Sequence, residues 1–182
     1  MMQPTVGGKP AGPVRMALVQ ALRNGAYGTY DVLAQSLGLP EDAVVMVSFN
    51  NIYKITPAMF DCWMRILQQT PHTVLWLLDD NPWATANLKQ RAQQHGLAER
   101  VIFAQRCSHA EYRTRLGLAD VYLDTYPYNA GSTARDVLDA HLPMVTCSGK
   151  TFISRMAGSM LHAAGLDELI TYSLDGYAAR VI

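Results

Sequence analysis

The sequence predicts an α/β fold: a Rossmann-like, doubly wound parallel sheet preceded by a short helical appendage. Three observations carry that expectation. From Val44 onward, short apolar strands alternate with amphipathic helices. The strands are apolar along their whole length, as strands buried on both faces of a parallel sheet must be. Hydrophobic residues make up 49% of the 182 residues, enough to bury a core of that size.

The strands are expected at Val44–Ser48, Val74–Leu78, Val101–Ala104, Val121–Asp124 and Met144–Cys147. The helices are expected at Pro57–Gln69, Trp83–His95, Ala110–Leu118, Ser132–Ala140 and Phe152–Ala164, with a further start near Leu174. The first helix gathers Met59, Phe60, Trp63, Met64, Ile66 and Leu67 on one face. Thr56 is its expected N-cap, followed by Pro57 at the first helical position. Right-handed crossovers through such helices give a doubly wound sheet, and ligands then bind beyond the carboxyl ends of its strands.

Ahead of the sheet, residues 1–13 are rich in Gly and Pro and predict a disordered lead-in. Residues 14–39 predict two short helices, Val14–Asn24 and Tyr30–Leu37, the second ended by Gly38 and Pro40. The lobe itself is expected over residues 40–182. A helix-turn-helix reading of the appendage fails, because the β-branched run Val44-Val45-Met46-Val47 stands where a recognition helix should follow.

Charge excludes further classes. Fifteen Lys and Arg balance fifteen Asp and Glu, which speaks against a nucleic-acid coat or an acidic-membrane binder. No apolar run exceeds about five residues, against the roughly 20 a membrane helix needs. No signal peptide is visible, and Cys62, Cys107 and Cys147 are scattered without a C-x-x-C. That pattern reads as reduced thiols of a cytoplasmic protein.

Chemistry is sought in the loops after the strands. Phe49–Thr56 carries one cation, Lys54; alone it would be a solvated lysine, but at a sheet edge it is also a point charge for phosphate. Gly131-Ser132-Thr133 opens a helix, where bare amides and the helix dipole favour an anion. A capping box, Thr133-x-x-Asp136, competes for the same turn, and spacing does not decide between the two. Ser148-Gly149-Lys150-Thr151 mimics the end of a phosphate-binding P-loop, but Met144 stands where its first glycine is required. No G-x-G-x-x-G or G-x-S-x-G occurs, and the five histidines lack metal-ligand spacing. His109, just past the third strand, is the one histidine kept as a site residue. Asp79-Asp80 before Asn81-Pro82 reads as a polar turn, and no metal is expected.

The blocks FNNIYKITP, VLWLLDDNPWA and LADVYLDTYPYNAGSTARDVLDAHLPMVTCSGKTFISRMAGSMLHAAGLDELI occur in that order. Together they resemble the C-terminal catalytic lobe of the O-linked N-acetylglucosamine transferases, the SPINDLY/OGT-like glycosyltransferase family 41. The resemblance spans roughly residues 36–177. It implies the GT-B architecture, in which two Rossmann-like lobes clasp a nucleotide sugar, and this chain matches the nucleotide-binding lobe. The family's Gln-x-x-Lys falls on Asn51 and Lys54, the lysine touching the diphosphate. Its uracil-holding backbone falls near Cys107, and a family lysine aligns with His109. Its His-x-x-Arg falls on Tyr112 and Arg115. Its His-Thr-Thr falls on Gly131-Ser132-Thr133, keeping the hydroxyls and losing the histidine. Asp136 matches the carboxylate on the ribose hydroxyls.

The implied reaction is inverting transfer of N-acetylglucosamine from UDP-GlcNAc to a protein Ser or Thr, without a metal or other cofactor. The expected partners are the donor, a protein acceptor, and the N-terminal lobe and tetratricopeptide repeats of the family, which this sequence does not contain. The chain also stops soon after the helix start near Leu174, so the isolated lobe is expected to be inactive. The second function class is a non-catalytic nucleotide- or protein-binding module of the same descent.

Overall fold

The computed structural model describes residues 33–182, together with two short strands nearer the N-terminus. Those strands, Thr5–Val6 and Lys9–Pro10, pair antiparallel. The rest of the expected lead-in, the helix Val14–Asn24 and the start of Tyr30–Leu37 lie outside the described residues. Residues 33–36 are helical, and Gly38 follows with φ of 74°, the left-handed turn that glycine adopts without steric cost. The chain divides into two compact units, Met1–Glu41 and Asp42–Ile182.

The second unit holds the sheet. Its strands are β1 (Val44–Ser48), β2 (Thr73–Asp79), β3 (Val101–Gln105), β4 (Val121–Leu123), β5 (Met144–Cys147) and β6 (Ile170–Thr171). All neighbours are parallel, in the order β3-β2-β1-β4-β5-β6. Met46 of β1 lies opposite Leu75 on one side and Val121 on the other. Strand order reverses between β1 and β4, so the crevice of a doubly wound sheet opens beyond their carboxyl ends.

The helices are α1 (Pro57–Gln69), α2 (Pro82–Gln94), α3 (His109–Leu116), α4 (Ser132–Asp139), α5 (Met156–Ala163) and α6 (Leu174–Val181). Thr56 caps α1 by accepting from the Met59 amide at 3.2 Å, and the six expected apolar residues of α1 are buried. Asn81 caps α2 in the same way, accepting from Ala84 at 3.1 Å. Helix α5 begins four residues later than expected. The Ser154 hydroxyl accepts from the Thr151 amide at 3.0 Å and donates to its carbonyl at 3.0 Å, holding 151–154 as a turn. Phe152, the expected first residue of that helix, is 80% exposed. Strand β6 was not expected.

Helix α6 returns over α1. The Trp63 indole donates to the Tyr177 hydroxyl at 3.3 Å, which donates in turn to the Asp124 carbonyl at 3.0 Å. Both rings are fully buried among Phe60, Met64, Leu67, Leu75 and Leu77. Two helices and the end of β4 are thereby locked together behind the crevice.

Candidate functional site

The loop leaving β1 forms the first wall. Phe49 stacks edge-on against Trp76, with ring centroids 4.8 Å apart, and Ile52 is buried, so the turn Ile52–Lys54 is pinned from beneath. The Lys54 ammonium donates to the Asn129 carbonyl at 3.1 Å and lies 4.1 Å from the centre of the Tyr128 ring. Partial burial pushes its pKa below that of an ordinary lysine, opposed by the charges of Tyr53 and Asp124.

The loop between β4 and α4 forms the second wall, and Asp124 organises it. This carboxylate is completely buried. Its Oδ1 accepts from the amides of Thr125 (2.8 Å) and Ala130 (2.7 Å) and from Asn50 Nδ2 (3.3 Å). Its Oδ2 accepts from the Thr146 hydroxyl at 2.6 Å. Even so, desolvation pushes its pKa up to about 6, with those four hydrogen bonds opposing the rise. Asn129, also buried, donates to the carbonyls of Thr125 (2.8 Å) and Cys147 (3.2 Å).

Gly131 is the N-cap of α4, and no side chain caps this helix. The Thr133-x-x-Asp136 capping box therefore does not form: Thr133 lies inside the first turn, two residues past the N-cap position it would have to occupy. The leading amides of α4 are left to face the crevice, the arrangement that favours an anion. A Cβ at Gly131 would come within 2.9 Å of Met156 Cε. The thioether of Met156 thus closes the space beside the helix start.

The third wall follows β3. Ser108 and Glu111 form a reciprocal capping box at α3, and the Ser108 hydrogen bonds hold the Glu111 carboxyl below its usual range. His109 opens the helix, with Nε2 3.9 Å from Asp136 Oδ2 and its ring centroid 5.9 Å from that of Tyr112. Burial raises the Tyr112 phenol, whose buried oxygen has no hydrogen-bond partner among the described residues.

The three walls enclose a cavity of about 640 Å³. Nine of the ten residues singled out from sequence line it: Asn51, Lys54, Cys107, His109, Tyr112, Gly131, Ser132, Thr133 and Asp136. Arg115 does not. Its guanidinium donates to the Gln105 carbonyl at 2.6 Å and fastens α3 to the end of β3. Asp79 accepts from Thr85 (2.7 Å) and Gln105 (2.6 Å), and Asp80 pairs with Arg106 (2.9 Å). Among the described residues, no three His, Cys, Asp or Glu side chains are grouped to hold a metal ion.

The family model described as glycosyl transferase family 41 matches residues 30–182. The chain belongs to glycosyl transferase family 41. A UDP-N-acetylglucosamine–peptide N-acetylglucosaminyltransferase of Caenorhabditis elegans is 36% identical over 79% of this chain. A probable enzyme of the same description from Arabidopsis thaliana is 35% identical over 80%. The chain spans only 13% and 15% of the length of these relatives. A solved O-GlcNAc transferase from Thermobaculum terrenum superposes with a TM-score of 0.73 at 27% identity, covering 78% of this chain and 28% of that one. The six-stranded sheet is accordingly the Rossmann-like lobe of a GT-B glycosyltransferase.

Within this family 41 lobe, several cavity residues carried no sequence signal of their own. Tyr53 and Tyr128 flank Lys54 with ring centroids 6.1 Å apart. Arg106 reaches the cavity from the end of β3. Asp124 does not line the cavity but is buried behind it, at the end of an expected strand. A carboxylate closing an otherwise apolar run was the available signal, since an unpaired charge there has to be buried for a purpose.

Proposed function

We propose that the cavity binds the UDP moiety of UDP-N-acetylglucosamine, and that this chain is the donor-binding lobe of a protein O-glycosyltransferase. The observation that carries the reading is the convergence of the Lys54 ammonium and the uncapped start of α4 on one cavity. A diphosphate leaving group needs that pairing, because it develops negative charge as the sugar departs. In the transfer, a Ser or Thr hydroxyl oxygen bonds to the anomeric carbon while the bond from that carbon to the diphosphate oxygen breaks. The hydroxyl proton leaves to a base, and UDP takes the electron pair. Lys54 and the amides of Ser132 and Thr133 neutralise the charge, with no metal called upon. Asp136 accepts from the ribose hydroxyls, and the backbone near Cys107 with the Tyr112 ring holds the base.

Transfer also requires the acceptor and donor to meet in one enclosed geometry. The relatives are several times longer than this chain, and the remaining walls and the acceptor-binding repeats are assigned to the rest of such a protein. By itself the 182-residue chain binds UDP without transferring sugar. The three cysteines, all free, support a reducing, cytoplasmic setting. The second reading, a nucleotide-binding module without turnover, is favoured by Gly131 standing where the family carries histidine.

Calorimetry with UDP tests the site. Lys54→Ala should weaken binding by roughly 1.5–3 kcal/mol, the scale of a charge-assisted contact; equal binding by wild type and variant refutes the assignment. Radiolabelled UDP-N-acetylglucosamine with a peptide library tests the division of labour. Sugar incorporation by the isolated chain, lost in Lys54→Ala, would make the lobe an enzyme in its own right.

A further inference from the structure

Arg106 follows β3 and is 63% exposed, yet its side chain is not free. Its Nη2 donates to Asp80 Oδ2 at 2.9 Å and to Asn51 Oδ1 at 2.6 Å. Asp80 is nearly buried, so the guanidinium is anchored from the protein side. Three strand-end loops, after β1, β2 and β3, are tied by one side chain.

The consequence falls on Asn51. Arginine carries only donors, so the group facing it has to be the amide oxygen. The Asn51 amide is therefore fixed in one of its two orientations, with its NH2 directed away from Arg106. That NH2 has no hydrogen-bond partner among the described residues, and Asn51 lines the cavity. The Asn51 carbonyl also accepts from the Lys54 amide at 3.0 Å, so the side-chain NH2 and the Lys54 ammonium are donors presented by a single tight turn. A cation on its oxygen further polarises the amide and makes the NH2 a stronger donor.

We propose that Arg106 is a positioning residue that aims the Asn51 amide at the diphosphate, and thereby sets the preference of this site for a diphosphate over an uncharged nucleoside. The inference rests on the cavity taking UDP. Arg106 acts through Asn51, with Asp80 holding it in register. Without Arg106 the amide is no longer held in register, and its NH2 loses both the fixed direction toward the phosphates and the polarisation by the cation on its oxygen.

The test is a double-mutant cycle on the 182-residue chain, read by NMR titration with UDP and with uridine. Arg106→Met keeps the length of the stem and removes the charge. It should weaken UDP binding about tenfold, the scale of one charge-assisted hydrogen bond, and change uridine binding less than about twofold. Asn51→Ala should cost a similar factor. In the Asn51→Ala background, Arg106→Met should add less than about twofold, because the amide it orients is gone. If Arg106→Met does not fold with Asp80 unpaired, Asp80→Asn with Arg106→Met removes both charges and carries the same comparison. A full tenfold loss that persists without Asn51, or equal losses for UDP and uridine, overturns the inference while leaving UDP as the ligand. No UDP binding by the wild type overturns the proposed function, and this inference with it.

Discussion

Asp124 is the residue on which the β4–α4 loop is built, and its burial makes it a pH-dependent element of the fold. Its pKa in the folded chain is about 6, against an ordinary 3.8. The folded state therefore holds the proton more tightly than the unfolded state does. The stabilising contribution is complete below about pH 4 and is lost as pH rises through 6. The interval corresponds to about 3 kcal/mol. Thermal melts of wild type and Asp124→Asn between pH 4 and 7.5 check the sign: the advantage of the wild type should shrink as pH rises, and a growing advantage contradicts the assignment. Lys54 behaves differently, because its charged form is the one a diphosphate selects. Burial has already lowered its pKa. UDP binding should accordingly weaken on the alkaline side before pH reaches the 10.4 or so of a free lysine. Calorimetry across that range should show the decline in wild type and its absence in Lys54→Ala.

Among the elements, α6 bears more of the fold than its eight residues imply. The Tyr177 hydroxyl satisfies both the Trp63 indole and the Asp124 carbonyl. Tyr177→Phe leaves two buried polar groups unpaired at once and should cost roughly 1–3 kcal/mol in urea unfolding, with the slope unchanged; a loss below about 0.5 kcal/mol would mean the hydroxyl is idle. Other elements show where sequence patterning suffices. Strands β1 and β5 lie where their apolar runs predict, residue for residue, because a strand buried on both faces leaves an uninterrupted signature. Two-residue β6 has no period to detect. Helix α5 is four residues shorter at its start than the expected Phe152–Ala164, because a hydroxyl-bonded turn at 151–154 holds Phe152 in solvent. For the cavity, Lys54 and Gly131-Ser132-Thr133 were legible because a parallel sheet delivers its strand-end loops to one edge. The Asp80–Arg106–Asn51 link was not, since it joins three loops through tertiary contact alone. Arg115 failed for a related reason: a helical position fixes a direction, and the nearest acceptor in that direction is the Gln105 carbonyl.

For the molecule as a whole, every described residue lining the cavity lies between Phe49 and Met156, inside the unit Asp42–Ile182. That unit carries its own core, so a chain beginning at Asp42 should fold and bind UDP within about twofold of the 182-residue protein. A tenfold weaker complex by calorimetry would assign residues 1–41 a part in the site. The sheet order β3-β2-β1-β4-β5-β6 has a thermodynamic corollary. Because the cavity is assembled from the ends of β1, β3 and β4, no single segment of the chain can form a portion of it that holds a ligand. A nucleotide captured there has no counterpart in the unfolded ensemble, and its whole binding free energy is added to the unfolding free energy of the sheet. At a concentration about 100 times its Kd, that addition is about 2.7 kcal/mol, enough to raise the melting temperature by several degrees. Occupancy of the crevice and the cohesion of strands that never touch the ligand are one linked quantity.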